Sequence, residues 1–483
     1  MEGAFVMRSL LRNLLLLALC AALLATATAQ PQPQTQTQSQ ISTQPAAHRA
    51  PQWLASGVLY QVNPRSFSAT GDFKGIEQRL DYLHDLGVTI LWIMPIHPPG
   101  KMGRKGSLGS PYAAVDYYAI DPAYGTKDDF RRLIAEAHKR GLKVILDIVA
   151  NHTAWDSVMM AHPDFYKHDA AGHIISPEPD WADVAALDYR NPRTRAYMKE
   201  MLRYWLRDFD LDGFRCDVAF YLPTDFWEEA RPELEKIRPD LMMLAEANHP
   251  DLMRRAFDLD YDWPLEETLS NVIDHGALVS TLVERWRQDH QTHPAPMLQM
   301  HFSDNHDLLR LVARHGQPAA LAASVLLFTL DGVPLLYNGM EIGDTAESAA
   351  PALFERLPIF WPMAERRPEL LAIYRKLIAL RRAHPALQQG ETLWISDPPP
   401  VPNPHAESIL CYTRRSGDEQ FLVVINFSNQ PWKGAIPTPG EYQDVTPRAD
   451  NAPQPSNTLP ALALGAWEFR IFQRIASQNP NAK

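Results

Sequence analysis

The chain has 483 residues, 46% apolar and 21% charged, a globular balance that excludes wholesale disorder and leaves ample length for a large core. A formal net charge of −11 repels phosphate backbones and anionic lipid surfaces, so no nucleic-acid partner is expected. The 3 cysteines, Cys20, Cys216 and Cys411, supply neither a disulfide framework nor the paired spacing of a zinc site.

At the start of the chain Arg8 and Arg12 precede an apolar run over 14–24, and Ala27-Thr28-Ala29 comes after it. This is the pattern of an export signal cleaved after residue 29. The run falls short of the roughly 20 residues that span a bilayer. The expectation is an exported protein, periplasmic or secreted, without integral membrane association. A lipid anchor on Cys20 fits less well, because Leu19 stands where such signals favour a small residue. Residues 30–50 are almost entirely Gln, Pro, Thr, Ser and Ala and read as a disordered leader with too little apolar surface to offset ordering.

From Val58 one pattern recurs: a β-branched run, a polar turn, a helical stretch, another β run. In one such unit Thr126 caps a helix with Asp129 three residues on. Phe130, Leu133, Ile134 and Ala137 come next at helical spacing, and Gly141 ends the pattern. The strand predicted over 143–149 is apolar on both faces, as a buried parallel strand should be, except for Asp147. Further strands are predicted to begin near Val58, Thr89, Gly213, Leu241, Phe257, Met297 and Val333. Alternation alone fits an open doubly wound sheet too, but no G-x-G-x-x-G follows the first strand, and the strand count favours an α/β fold of the (β/α)8 TIM-barrel kind. The barrel is expected over 51–150 and 190–386, with an aperiodic insert, 151–189, after the third strand. Beyond His384 the texture changes. Two β runs, 409–413 and 421–427, joined across Ser416-Gly417-Asp418, read as a hairpin within an antiparallel C-terminal β-sandwich, 387–476, before a tail, 477–483.

Polar residues at the C-terminal ends of barrel strands face one mouth. Here Asp147, Asn151 and His152 follow the third strand, Arg215 and Asp217 lie in the fourth, Glu246 closes the fifth, and His306 and Asp307 follow the seventh. Arg215 and Asp217 are two apart and share a face of their strand, so the guanidinium is expected to depress the carboxylate pKa and keep Asp217 an anion. Glu246 comes after the apolar run 241–244, where burial near other carboxylates raises a pKa and suits a general acid. Two carboxyls with divided roles, roughly 5 to 5.5 Å apart, are what retaining glycoside hydrolysis requires.

These residues resemble the α-amylase family of retaining glycosidases, glycoside hydrolase family 13, whose four short regions occur in order: Asp147-Ile-Val-Ala-Asn151-His152, Gly213-Phe-Arg215-Cys-Asp217, Leu244-Ala-Glu246-Ala-Asn248 and Phe302-Ser-Asp-Asn-His306-Asp307. Ser110-Pro111-Tyr112 with Asp116-Tyr117, Pro95, and the run 332–341 support it, and the likeness covers roughly residues 52 to 475. The resemblance implies that Asp217 is the nucleophile, Glu246 the acid and later the base, and Asp307 the stabiliser of the transition state. It further implies that His152 and His306 donate to sugar hydroxyls and that Tyr112 is the platform under the ring. Arg215 would be the partner of Asp217 and Asp147 the brace of that arginine. The implied substrate is an α-glucan or maltooligosaccharide, no cofactor is required, and the oligomeric state stays open.

The sequence also departs from the family pattern. Phe220 and Tyr221 stand where typical members carry Lys-His on the leaving-group side, and two aromatics cannot donate the same charged hydrogen bond. Val218 resembles the branch that cleaves α-1,6 linkages, yet Ala185-Ala-Leu-Asp188 stands where that branch has Gln-Pro-Asp-Leu-Asn. Ala245-Glu246-Ala247-Asn248 is similar to trehalose-synthase-like members, which leaves a glucosyl transferase or isomerase as an alternative. A non-catalytic sugar-binding protein is another; such a protein could lose any one acid, and this chain lacks none. Asn151 matches a calcium-ligand position of many members and is the candidate ligand, while the multi-aspartate loop some carry after strand one is absent at 68–72. The run 208–213 imitates the start of an EF-hand, but its twelfth position is Ala219, and it reads as a turn leading into the fourth strand.

Overall fold

The computed structural model describes residues 50–293, 295–395, 407–436, 438–449 and 459–475. The expected export signal, all of the leader but its last residue, and the tail lie outside the described residues.

Eight short, buried apolar runs form a closed parallel barrel. Its strands are β1 (Leu59–Val62), β2 (Ile90–Ile93), β3 (Lys143–Ile148), β6 (Gly213–Cys216), β7 (Met242–Ala245), β8 (Leu259–Tyr261), β9 (Leu298–His301) and β10 (Val333–Tyr337). Around the barrel the order is β1-β10-β9-β8-β7-β6-β3-β2. The intervening β4 (His152–Ala154) and β5 (Val184–Ala186) pair antiparallel inside the insert beyond β3. Strand register sets the height at which each acid emerges. Asp147 is opposite Arg215, and Cys216 is opposite Ala245, so Asp217 and Glu246 leave adjacent strands at the same height.

The helix Lys127–Lys139 opens with the expected capping box, Thr126 and Asp129 each receiving a hydrogen bond from the other's backbone N–H. The run that imitates an EF-hand is spent on the fold: the Asp212 carboxylate accepts from Val144 N at 2.8 Å and Lys143 Nζ at 3.0 Å, and His138 lies 2.7 Å away. Asp212 thereby clamps the lower end of β6 to β3.

After the helix Pro368–Ala383 come β11 (Glu391–Trp394), β12 (Ile409–Ser416), β13 (Glu419–Asn426), β14 (Trp432–Ala435), β15 (Tyr442–Asp444), β16 (Ala461–Leu464) and β17 (Phe469–Arg474). They make a five-stranded antiparallel sheet, β11-β12-β13-β17-β15, and a two-stranded sheet, β14-β16. The expected hairpin is β12–β13, turning on Gly417, at φ 58°, and Asp418. Strand alternation divides its core: Leu410, Tyr412, Phe421, Val423 and Ile425 join the barrel's hydrophobic core, whereas Ile409, Cys411, Leu422 and Val424 meet Leu462 and Leu464 of the small sheet. Among the described residues no helix is long and apolar enough to cross a membrane.

Candidate active site

The buried Arg215 guanidinium organises the barrel mouth. Its Nη1 donates to Asp147 Oδ1 at 2.9 Å and to Asp217 Oδ1 at 2.8 Å, and its Nε donates to Tyr261 Oη at 3.1 Å. Nη2 stands 2.9 Å from Glu246 Oε2, close enough for an ion pair but out of line for a hydrogen bond. One cation thus touches three carboxylates delivered by three neighbouring strands. Asp147 is held from its other side by Trp92 Nε1 at 3.1 Å and Tyr112 Oη at 3.0 Å.

Charge balance inside this group overturns one expectation. Asp217 is not held down by its arginine: burial pushes it up to about 7, and the negative charges of Asp147 and Asp307 add to what Arg215 cannot offset. Glu246 is pushed up to about 8, by burial first and then by Asp217 and Asp307, in the direction expected of a general acid. Burial likewise lifts Asp147, to about 6. With several carboxyls around one guanidinium the group retains a proton near neutrality, and Glu246 is the site that gains it first.

The turn after Asp217 sets the acid in place. Val218 adopts φ 37°, ψ 48°, a left-handed conformation that costs a β-branched residue about 1–3 kcal/mol. In return its backbone N–H points at Glu246 Oε2, 2.7 Å away. Val218, Asp217, Glu246, Asp307, His306, His152 and Tyr112 line a single cavity, together with Lys105, Ser110, Trp181, Asp183, Val184, Leu353 and Phe354. Asp307 is the most open of the acids, its side chain 38% exposed.

Both histidines are kept neutral by burial, each pushed down to about 4. His306 stacks on Tyr112, with centroids 5.3 Å apart and 18° between planes. Its Nδ1 lies 2.7 Å from Gln61 Nε2 and its Nε2 2.7 Å from Tyr112 Oη. With the Gln61 amide donating to Nδ1, the imidazole proton sits on Nε2 and is directed to Tyr112. The expected donor to a sugar hydroxyl is therefore engaged by the protein, and a ligand must compete for it. His152 is backed by Asn151, whose Nδ2 is 3.2 Å from His152 Nδ1, and packs edge-on against Trp181. Among the described residues no group of three or more His, Cys, Asp or Glu side chains is placed to hold a metal ion.

Phe220 and Tyr221 lie beside the cavity and do not line it. Both are partly exposed; Phe220 stacks on His249 at 5.5 Å, and Tyr221 contacts Trp181 and donates to Glu178 Oε1 at 2.6 Å. Trp92, Tyr261 and Gln61 beneath the site, and Lys105, Trp181 and Asp183 at its rim, were not singled out by the sequence motifs. Gln61 was detectable as the one polar residue in the strand Leu-Tyr-Gln-Val.

A family model described as Alpha amylase, catalytic domain, matches residues 55–173 and 178–354, and one described as Maltogenic Amylase, C-terminal domain, matches residues 401–471. The chain is 28% identical over 478 residues to a maltogenic alpha-amylase of Bacillus acidopullulyticus, covering 88% of this chain and 78% of that one. It is 28% identical over 441 residues to a cyclomaltodextrinase of Geobacillus thermopakistaniensis, covering 81% and 72%. Among solved structures, a maltogenic alpha-amylase from Thermotoga neapolitana superposes with a TM-score of 0.77 at 29% identity, covering 88% of this chain and 99% of that one. An alpha-amylase from Lactobacillus plantarum does so with a TM-score of 0.76 at 30% identity, covering 87% and 99%.

Proposed function

The chain belongs to the α-amylase family of glycoside hydrolases, and from that premise we propose that it is an exported, retaining hydrolase of α-glucan oligosaccharides that works through a glucosyl ester on Asp217. The observation that carries this reading is the single guanidinium of Arg215 in contact with Asp147, Asp217 and Glu246 at one end of the barrel. Export rests on the basic, then apolar, then Ala-Thr-Ala sequence of the first 29 residues.

The chemistry arises from the unequal carboxyls. Protonated Glu246 gives its proton to the glycosidic oxygen as a carboxylate oxygen of Asp217 bonds to the anomeric carbon and the bond to the leaving sugar breaks. Glu246, now ionised, takes a proton from water; the water oxygen bonds to the same carbon and the ester to Asp217 breaks. Asp307 acts on the sugar hydroxyls as the ring flattens, an interaction stronger in the transition state than in the ground state. This cycle consumes water and needs no cofactor. A sugar hydroxyl can replace that water, and the exposed face of Phe220 gives an acceptor sugar somewhere to stack.

Asp217→Asn is expected to lower hydrolysis of maltooligosaccharides by about 10⁴-fold or more. A ring-fluorinated glucosyl fluoride should lose its anomeric fluoride and leave one fluoroglucosyl mass adduct on the peptide containing Asp217, and the first product seen by proton NMR should be the α anomer. Wild-type turnover in the variant, or a β anomer as first product, would remove the nucleophile assignment.

A further inference from the structure

Strand β1 carries a polar residue inside the barrel. Leu59 and Gln61 share its inward face, Tyr60 and Val62 pack outward, and Gln61 is fully buried. The Gln61 Nε2 lies 2.7 Å from His306 Nδ1. Two aromatic rings set the plane of that imidazole: Tyr112 stacks on it with 18° between planes, and Trp92, level with Gln61 on β2, stands edge-on with centroids 6.0 Å apart. Such contacts fix a ring without choosing which nitrogen carries the proton; a hydrogen bond to one nitrogen chooses it. A buried amide with an unanswered carbonyl costs stability that an apolar residue would not, and Gln61 Oε1 meets no donor among the described residues. The residue is therefore poorly explained by packing alone.

The contacts at the far nitrogen agree on where the proton sits. The Tyr112 hydroxyl is 2.7 Å from His306 Nε2 and 3.0 Å from Asp147 Oδ2. It has one proton, which goes to the Asp147 carboxylate, so its oxygen accepts from His306. Asp307 Oδ2 is 3.4 Å from the same Nε2 and would face a lone pair if that nitrogen were bare. Burial keeps the ring neutral, so a proton on Nε2 leaves Nδ1 an acceptor, which is what a donating Gln61 amide requires. The donors thus run one way, from Gln61 through His306 and Tyr112 to Asp147, whose Oδ1 accepts from Arg215 Nη1 at 2.9 Å. With nitrogen and oxygen of the Gln61 amide exchanged, the row would reverse: Asp147 would lose the Tyr112 proton, and Nε2 would be left bare.

We propose that Gln61 is a positioning residue: through Nδ1 it holds His306 as the Nε2–H tautomer, so that the imidazole offers a donor to the sugar at the cleavage site and the Tyr112 hydroxyl is free to donate to Asp147. The inference rests on the hydrolase reading above. His306 lines the cavity and Gln61 does not, so Gln61 reaches substrate only through that ring. Polarity matters there because His306 has Asp307 beside it. A carboxylate can only accept, so a sugar hydroxyl set between the two donates to Asp307 and must accept from His306. The reversed tautomer would present that hydroxyl with two acceptors for its one proton.

Neutron diffraction of the deuterium-exchanged enzyme should show deuterium on His306 Nε2 and none on Nδ1. Gln61→Met, similar in volume but without a donor, should lower kcat on maltotriose by about 10²-fold with little change in KM, since the donor is felt most in the transition state. In Gln61→Glu at acid pH, the added carboxyl and His306 share one extra proton and Nε2–H survives. Once that proton is lost, the carboxylate draws the remaining one to Nδ1 and bares Nε2. This variant should stay within about tenfold of wild-type kcat on the acid side and fall about tenfold further as pH rises, along a limb absent from the Gln61→Met profile. Deuterium on Nδ1 with Nε2 bare would overturn the inference. So would wild-type kcat in Gln61→Met, or a Gln61→Glu profile parallel to that of Gln61→Met, the mark of packing alone. Failure of the wild type to hydrolyse maltotriose would instead overturn the hydrolase reading, and the neutron map would still decide the tautomer.

Discussion

Arg215 and Arg381 are both fully buried, and their surroundings could hardly differ more. Arg215 faces carboxylates in excess, Asp147, Asp217 and Glu246. Arg381 faces main-chain carbonyls, of Phe328 at 3.1 Å, Leu330 at 2.7 Å, Leu387 at 2.6 Å and Gly332 at 2.5 Å. Around the first, burial and then the negative surplus push the acids up, and they hold on to protons. Around the second the surplus is positive: burial, helped by neighbouring Arg414, brings Arg381 itself down to about 9. The nearby acid, Asp331, behaves oppositely to the mouth acids, because contacts with His290 and Arg414 overcome burial and keep it below the ordinary carboxylate range. Burying an arginine therefore does not make a site. What makes one is an excess of carboxylates over the cation, whereas carbonyl acceptors turn the same side chain into a staple between its own helix, the segment leading into β10 and the short helix Pro385–Gln389.

Three substitutions can break this contrast, in descending order of effect. Arg215→Met should cut turnover by about 10³-fold or more, and the acid limb of the residual pH–rate profile should move to higher pH, because Asp217 loses the one charge that opposes its protonation. Arg381→Met should leave the shape of that profile unchanged while costing about 3 kcal/mol of stability in denaturant unfolding, since carbonyls at the domain junction lose their donor. If Arg381→Met moved the profile, or Arg215→Met moved only stability, the contrast would fail. The smallest effect is expected from Glu246→Gln. A carboxyl whose folded pKa is raised costs stability from its unfolded value upward, and the cost grows until pH reaches about 8. The glutamine form should thus melt roughly a few °C above the wild type at pH 8 and show no advantage near pH 4. A gain that shrank as pH rose would show that burial does not govern Glu246.

The barrel was legible in the sequence because its strands are apolar runs separated by helices with caps, and each unusual acid interrupts or closes such a run. Asp147 and Glu246 stand out for that reason alone. The raised pKa of Asp217 was not legible: the sequence sets Asp147 and Asp307 at the same mouth, but it does not show how deeply Asp217 is buried, nor that burial and those two charges together outweigh Arg215. The segment 101–109 at the rim of the cavity was hidden for a different reason. Lys105 sits among glycines with no periodicity, its partner Asp183 is about 80 residues distant, and Phe354, whose carbonyl accepts from Leu108 of the same segment, is about 250 residues away. Phe220 and Tyr221 were expected to contact the leaving-group side, but an aromatic at a loop tip can point into a cleft or lie on its margin, and here both take the margin.

The left-handed backbone at Val218 has a mechanical consequence. Because the amide that anchors Glu246 belongs to the residue bonded to Asp217, any breathing of the loop beyond β6 carries proton donor and nucleophile together. Nucleophile and proton donor are thus linked through a single peptide unit, and a shift of that unit is felt at both carboxyls at once.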